Sequence, residues 1–316
     1  MIMNTKNLAP VVLFTYKRLP ILKRSIESLL LNKECSLTDL IVYSDGPKTK
    51  SDEEGVNSVR VYLKKLKGFK SITFIFRDKN LGLAESFIQG ITETFVTHEK
   101  AIFLEDDNFV SKHFLSFMND ALNHYKNNEK VICISGYSMP IKPEQKEPYF
   151  VRGAETWSMG TWRRGWKYFC ADAKKLASDI EARGLSKKFD EDGFGFGQTL
   201  QNQIRGKVDS WGVRWQASAF LNGLYCLYPH IPLCISIGFG VDSVHCSEYS
   251  PSFRKPEDLS IYPITDFPNE VFQKKEVIVA IQRMRGVRPY QKVLNGIKCI
   301  PSRFLRKITF ISKKYL

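Results

Sequence analysis

The first 140 residues alternate short apolar runs with stretches in which apolar side chains recur every three or four positions. The apolar runs predict five buried β-strands, at 11–15, 40–44, 72–76, 101–104 and 131–135. Helical spacing follows at 22–30, 83–95 and 114–125, and Ser111 is the expected N-cap of the last helix. This alternation predicts an α/β chain, with a mostly parallel mixed sheet and helices on both faces.

Polar residues directly follow four of the predicted strands. They are Tyr16-Lys-Arg18, Asp45-Gly46, Arg77-Asp-Lys-Asn80 and Glu105-Asp-Asp107. In doubly wound sheets, ligands bind beyond the carboxyl ends of the strands, where these residues would meet. The mixture of carboxylates and cations is typical of a site for an anionic ligand bound with a metal ion.

The acidic triplet Glu105-Asp106-Asp107 is the main candidate for chemistry. Three adjacent carboxylates repel one another, and a hard divalent cation with oxygen ligands would offset that repulsion. A solvated acidic turn is the alternative. The apolar residues on both sides of the triplet favour a position at the sheet edge.

The second half of the chain has a different character. A polar loop with three prolines spans 140–148, and all five tryptophans lie between Trp157 and Trp215. Asp209 precedes a predicted helix over 211–220, so it is a candidate either for a catalytic base or for the helix N-cap. Asp190, Glu191 and Asp192 are alternative bases in a glycine-rich stretch that we expect to be a flexible loop.

The basic charge is concentrated at the end of the chain. The net charge is +14, and residues 283–316 contain ten Lys or Arg and no acid, so the rest carries only +4. Apolar residues recur there at helical spacing: Phe304, Ile308, Ile311 and Tyr315. This pattern predicts a basic amphipathic helix that associates with an anionic membrane surface, and a packed terminal helix is the alternative.

Composition narrows the class of protein. The chain is 43% hydrophobic and 25% charged, as in ordinary globular proteins. Its seven cysteines include no C-x-x-C pair, which argues against a zinc site or a disulfide framework. No apolar run reaches the ~20 residues of a membrane span, and the start is polar. We therefore expect a cytosolic chain, peripheral on the cytoplasmic face of the inner membrane.

Three blocks of sequence carry a resemblance to a known family. The first comprises Thr15-Tyr-Lys-Arg18, Tyr43-Ser-Asp-Gly46, Asn80-Leu-Gly-Leu-Ala84 and Phe103-Leu-Glu-Asp-Asp107. The others are Trp157-Ser-Met-Gly-Thr-Trp-Arg-Arg-Gly-Trp166, and Val208-Asp-Ser-Trp-Gly-Val-Arg-Trp215 with Ile237-Gly-Phe-Gly240 and His245. Together they resemble GT-A glycosyltransferases, in particular the N-acetylglucosaminyltransferase-I-like group and bacterial members that build surface polysaccharides. Ser158 and Met159 depart from the Gly-Trp of that pattern.

The resemblance implies a role for each matching residue. Asp107 would ligate Mn²⁺ (or Mg²⁺), and His245 would reach the metal or the diphosphate. Asp106 would face the ribose, Glu105 the sugar and Asp45 the uracil of a UDP-sugar, in a pocket also lined by Thr15, Tyr16, Arg18 and Asn80. We expect Asp209 to be the base of an inverting transfer, and Trp157, Trp162 and Trp211 to bind the acceptor.

These assignments predict three regions. Residues 1–140 would bind the nucleotide-sugar, 141–282 would form the acceptor-binding and catalytic half of the same domain, and 283–316 the membrane-associating tail. The acceptor would be a lipid-linked or other saccharide, and nucleic acid is not an expected partner. One alternative is a sugar nucleotidyltransferase, but such an enzyme needs a glycine-rich loop after the first strand to hold a triphosphate, and no glycine lies there. The other alternative is a non-enzymatic protein that binds anionic polymers through the tail.

Overall fold

The computed structural model describes residues 8–238 and 254–287. All five predicted strands form in it, each within one residue of its predicted bounds. The strands are β1 (Val11–Thr15), β2 (Asp39–Ser44), β3 (Ser71–Phe76), β4 (Lys100–Glu105), β5 (Asn108–Val110), β6 (Val131–Ser135), β7 (Tyr149–Arg152), β8 (Met159–Trp162), β9 (Tyr225–Tyr228) and β10 (Cys234–Ser236). His245 and residues 288–316, with the predicted amphipathic helix, lie outside the described residues.

Helices connect most of these strands. They are α1 (Leu19–Leu30), α2 (Glu53–Leu63), α3 (Leu83–Thr97), α4 (Phe114–His124), α5 (Arg163–Trp166), α6 (Ala173–Ala182), α7 (Ser186–Phe189), α8 (Phe196–Ile204), α9 (Trp211–Leu221) and α10 (Lys275–Met284). Among these helices, none is long and apolar enough to cross a membrane.

Eight of the described strands form one mixed sheet, in the order β3-β2-β1-β4-β8-β6-β9-β7. The pairs β3-β2, β2-β1, β1-β4 and β6-β9 are parallel, whereas β8 and β7 run antiparallel to their neighbours. The predicted mostly parallel sheet is therefore confirmed. Residues before and after position 140 both contribute strands to this sheet.

The period of two along β1 divides the core between the two faces of the sheet. Val11 and Leu13 pack with α1 and α4 on one face, while Val12 and Phe14 pack with α3, α9 and α10 on the other. Helices therefore cover both faces, as the sequence predicts. Every residue of β1 is buried, so packing on both faces positions Thr15 at the carboxyl end of the strand.

Two helix starts differ from the N-cap expected at Ser111 and from the alternative N-cap role of Asp209. Ser210, not Asp209, caps α9, because its hydroxyl accepts a hydrogen bond from the amide of Val213 at 3.2 Å. Helix α4 begins after His113, and the hydroxyl of Ser111 accepts a hydrogen bond only from the amide of His113. Asp209 is thus left outside the cap.

Candidate active site

The carboxyl ends of β1, β2 and β4 meet at one edge of the sheet and border a cleft of about 930 Å³. We call it the donor cleft. Most of the residues predicted to form the site line it: Thr15, Tyr16, Arg18, Asp45, Asn80, Glu105, Asp106, Asp107, Trp157, Asp209 and Trp211. The parallel register, which sets Phe14 beside Tyr43 and Glu105, brings these segments together.

The acidic triplet lies where β4 ends, and Arg18 from the segment after β1 reaches across to it. The Arg18 guanidinium donates to Asp106 Oδ1 at 2.5 Å and to Asp107 Oδ2 at 3.2 Å. All three side chains are largely buried, at 17%, 6% and 15% exposed. The cation therefore offsets part of the repulsion that the sequence identifies, and three carboxylates still face one guanidinium.

Burial dominates the electrostatics of the triplet. It is the largest cause that raises the pKa of Glu105 to about 8, and the charges of Asp107 and Asp106 add to it. Burial also raises the pKa of Asp106 to about 6, although Arg18 opposes the shift. The protein's own groups therefore stabilise Glu105 and Asp106 poorly as anions, which favours a cation or a further hydrogen-bond donor beside them.

Asp107 is more available to a metal ion than Asp106. Its contacts to Arg18 and to Asn108 Nδ2 are 3.2 and 3.3 Å long, looser than the Arg18–Asp106 contact. Within the described residues, no three His, Cys, Asp or Glu side chains form a metal-binding group. Oxygen donors in this number fit a hard ion that takes one or two protein carboxylates and completes its shell with substrate phosphates and water.

The strand β10 pairs with β5 and brings Gly238 against the same carboxylate. The amide of Ile237 donates to the backbone oxygen of Asp107 at 2.9 Å. A Cβ added to Gly238 would lie 2.0 Å from Asp107 Oδ2, so only glycine fits while that carboxylate keeps its position.

Asp45 lines the donor cleft and also organises a neighbouring loop. Its carboxylate accepts hydrogen bonds from the amides of Gly46, Leu81 and Gly82, at 2.9 to 3.1 Å. Asn80 Nδ2 in turn donates to the backbone oxygen of Gly46 at 2.8 Å. These bonds hold the turn after β2 against the entry to α3.

Two hydroxyl groups in the cleft lack partners. Thr15 Oγ1 and Ser86 Oγ are buried and, among the described residues, make no hydrogen bond. Both residues line the donor cleft. Ser86 is absent from the sequence-based site because it lies within an ordinary helical pattern, two residues beyond the Asn80-Leu-Gly-Leu-Ala84 block. Such unpaired buried groups are costly unless a ligand or water satisfies them.

Asp209 is an exposed carboxylate on the rim of the cleft. Its side chain is 69% exposed, and Arg214 Nη2 donates to Oδ1 at 3.0 Å. Trp211 is buried, and its ring stacks on Phe87 with a centroid distance of 4.9 Å. Trp157 is half-buried and meets Tyr137 edge-on at 5.4 Å.

Trp162 is not brought to the cleft. It pairs with Lys100 at the amino end of β4, five residues and roughly 16 Å from Glu105. Its side chain is 5% exposed, and Nε1 donates to the backbone oxygen of Leu122 at 3.2 Å. The guanidinium of Arg164 covers the ring at 4.2 Å. The expected contact of Trp162 with an acceptor is therefore corrected to a position in the core.

Comparison with known proteins identifies the family. The profile of Glycosyl transferase family 2 matches residues 11–176, and no curated protein matches the chain. Among solved structures, S. aureus TarS is 10% identical with a TM-score of 0.40, covering 71% of this chain and 36% of its own. The mannosyltransferase PcManGT from Pyrobaculum calidifontis, in complex with GDP-Man and Mn²⁺, is 8% identical with a TM-score of 0.34, covering 69% and 70%.

Proposed function

Because this chain belongs to glycosyl transferase family 2 and is a glycosyltransferase, we propose that it transfers a sugar from a UDP-sugar to a saccharide acceptor with inversion. The observation that carries the proposal is the buried acidic triplet with Arg18, at the edge of a cleft whose hydroxyls at Thr15 and Ser86 find no hydrogen-bond partner within residues 8–238 and 254–287. The Glu-Asp-Asp form supports a place near the N-acetylglucosaminyltransferase-I-like group and a role in bacterial surface polysaccharide synthesis.

The nucleotide would lie between Tyr16 and the loop that Asp45 holds. Tyr16 is fixed because its hydroxyl accepts a hydrogen bond from the amide of Lys48 at 2.9 Å. A uracil would meet the Asp45 carboxylate, whose charge favours an N–H donor. Thr15 and Ser86 would supply hydroxyl partners to the ribose or the diphosphate.

A divalent ion, Mn²⁺ or Mg²⁺, would be held by Asp107 and would stabilise the negative charge that develops on the leaving diphosphate. His245 stays a proposed second ligand. Arg18 keeps Asp106 and Asp107 in place, and Gly238 leaves the space that the Asp107 carboxylate occupies. Glu105 would face the transferred sugar and Asp106 the ribose.

Inversion needs a single displacement and a base. The acceptor oxygen forms a bond to the anomeric carbon while the bond from that carbon to the phosphate oxygen breaks. Asp209 would take the hydroxyl proton, and UDP would leave with the electron pair. The contact with Arg214 orients this carboxylate on the rim of the cleft.

The basic tail, of which residues 283–287 are described, would place the enzyme on an anionic membrane surface, where a lipid-linked acceptor is available. Flotation with phosphatidylglycerol vesicles tests this on the full chain. Replacement of Arg303, Arg306 and Lys307 by glutamate should abolish flotation at 0.15 M salt. Unchanged flotation would refute the role of the tail.

The donor is tested by hydrolysis of UDP-, GDP- and CDP-sugars and by calorimetric titration of the free nucleotides with Mn²⁺. We expect UDP to bind and UDP-sugars to be hydrolysed. Asp107→Asn should lose the metal-dependent part of UDP binding, whereas Asp179→Asn, a half-exposed control on α6 paired with Lys175, should not. Absence of UDP binding to the wild-type protein would overturn the proposal.

A further inference from the structure

A second cavity, of about 430 Å³, adjoins the donor cleft. We call it the side cavity. Five residues line both spaces and form the wall between them: Thr156, Trp157, Thr199, Ser210 and Gly212. A molecule in the side cavity would therefore lie next to the donor, close to the rim that carries Asp209.

Half-buried aromatic rings dominate one side of this cavity. Phe194 and Phe196 stack at 5.3 Å, and Trp157 contributes from the shared wall. The guanidinium of Arg285 lies 4.9 Å from the centroid of the Phe194 ring. Flat aromatic surfaces beside polar groups suit a sugar ring, which has an apolar C–H face and hydroxyls around its edge.

Asp192 lines the same cavity, and among the described residues only one of its two carboxylate oxygens accepts a hydrogen bond. Its residue is 8% exposed, and Oδ1 accepts a hydrogen bond from the amide of Phe194 at 3.1 Å. Within the described residues, Oδ2 accepts none. Burial is the main cause that raises the pKa of Asp192 to about 6. A hydroxyl donor in the cavity would satisfy this oxygen.

Glu155 builds the wall rather than offering a free oxygen. Its Oε1 accepts from the amides of Thr156 and Trp157, and its Oε2 accepts from the hydroxyl of Tyr228 at 3.0 Å. Ser158, which directly follows Trp157, has a φ of 48°, in the left-handed region that non-glycine residues rarely adopt. This turn holds Trp157 between the two spaces.

Hydrogen bonds and close packing shape the loop that carries Asp192. Asp190 Oδ1 accepts from the amide of Gly197 at 2.8 Å. Gly193 has a φ of 83°, and a Cβ there would lie 2.3 Å from a methyl group of Val287. These contacts accompany the placement of Asp192 and Phe194 in the lining of the cavity.

We infer that the side cavity binds the acceptor as an uncharged saccharide, with a ring on Phe194 and Trp157 and a hydroxyl that donates to Asp192. The inference rests on the proposed function. The lining cations Arg152 and Arg285 balance the carboxylates Glu155 and Asp192, so the cavity offers no excess of charge to an anionic sugar. Asp192 is here a binding group, and Asp209 remains the proposed base.

The test measures binding of octyl β-D-glucoside, octyl β-D-galactoside and octyl N-acetyl-β-D-glucosaminide to the full-length enzyme loaded with UDP and Mn²⁺, by saturation-transfer NMR and calorimetry. At least one glycoside should bind through its sugar protons. Asp192→Asn, which keeps the side-chain shape and an oxygen for the Phe194 amide, should weaken that binding by about 10-fold or more. Phe194→Leu should weaken it as well.

UDP binding by both variants should match the wild type, and Asp179→Asn should change neither binding. If UDP binds and no glycoside does, or if Asp192→Asn and Phe194→Leu bind the glycosides as the wild type does, the inference is overturned while the proposed function stands. Failure of UDP to bind the wild-type enzyme would overturn the proposed function, and this inference with it.

Discussion

Arg18 is the residue whose removal tests the electrostatics of the site most directly. Replacement by methionine keeps an unbranched side chain and removes the guanidinium that contacts Asp106 and Asp107. Burial disfavours the charge of Arg18, but the two aspartates outweigh burial and raise the pKa of the guanidinium. The variant therefore leaves three clustered carboxylates without their cation.

The magnitude follows from burial. Because Arg18 and Asp106 are 17% and 6% exposed, solvent screens the pair little, and breaking such a pair costs about 3–5 kcal/mol. The pKa of folded Asp106, about 6, lies above the ordinary value of 3.8. Its ionisation thus reduces stability as the pH rises through 6, and loss of Arg18 raises that pKa further. The deficit should be largest at pH 8 and smaller at pH 5, where Asp106 takes up a proton.

Urea unfolding, followed by tryptophan fluorescence at pH 5 and pH 8, measures the deficit. Arg24→Met is the matched control on α1, since Arg24 is exposed and lies 6.0 Å from the ring of Phe109. Arg18→Lys should recover part of the lost free energy at pH 8. A deficit below about 1 kcal/mol, which is the scale of an exposed pair, or an equal deficit at both pH values would refute the reasoning.

Three further predictions concern single side chains. Asp209→Asn should lower the transfer rate by about 10²–10⁴-fold and leave calorimetric UDP–Mn²⁺ binding unchanged; equal loss of both would remove the base assignment. Gly238→Ala should displace the Asp107 carboxylate and weaken metal-dependent UDP binding by about 10-fold or more, whereas Gly223→Ala, in an open turn, should not; normal binding would contradict the packing at Asp107. Trp162→Ala should reduce the free energy of unfolding by about 3–5 kcal/mol with the acceptor KM of the folded enzyme unchanged, and a raised KM would restore Trp162 to the acceptor site.

The parts of the fold that sequence predicts well are those whose signal is local. Five strands are recognisable because each is a short apolar run, and the acidic triplet is placed correctly because it directly follows one of them. Helix α2 is not predicted from the sequence because its apolar signal is weak: only Val56, Val59 and Leu63 of its eleven residues are buried. The two three-residue strands β5 and β10 are too short to show a period.

The remaining errors come from pairing between distant segments, which no local pattern encodes. Trp162 follows Trp157 by only five residues. Because β8 runs antiparallel to β4, however, the two tryptophans lie toward opposite ends of β4. Trp157 precedes the strand and lies at the cleft, whereas Trp162 ends it beside Lys100. A tryptophan-rich block is therefore not one binding surface. The insertion of β8 between β4 and β6 decides which of the two rings lies at the cleft and which supports the core.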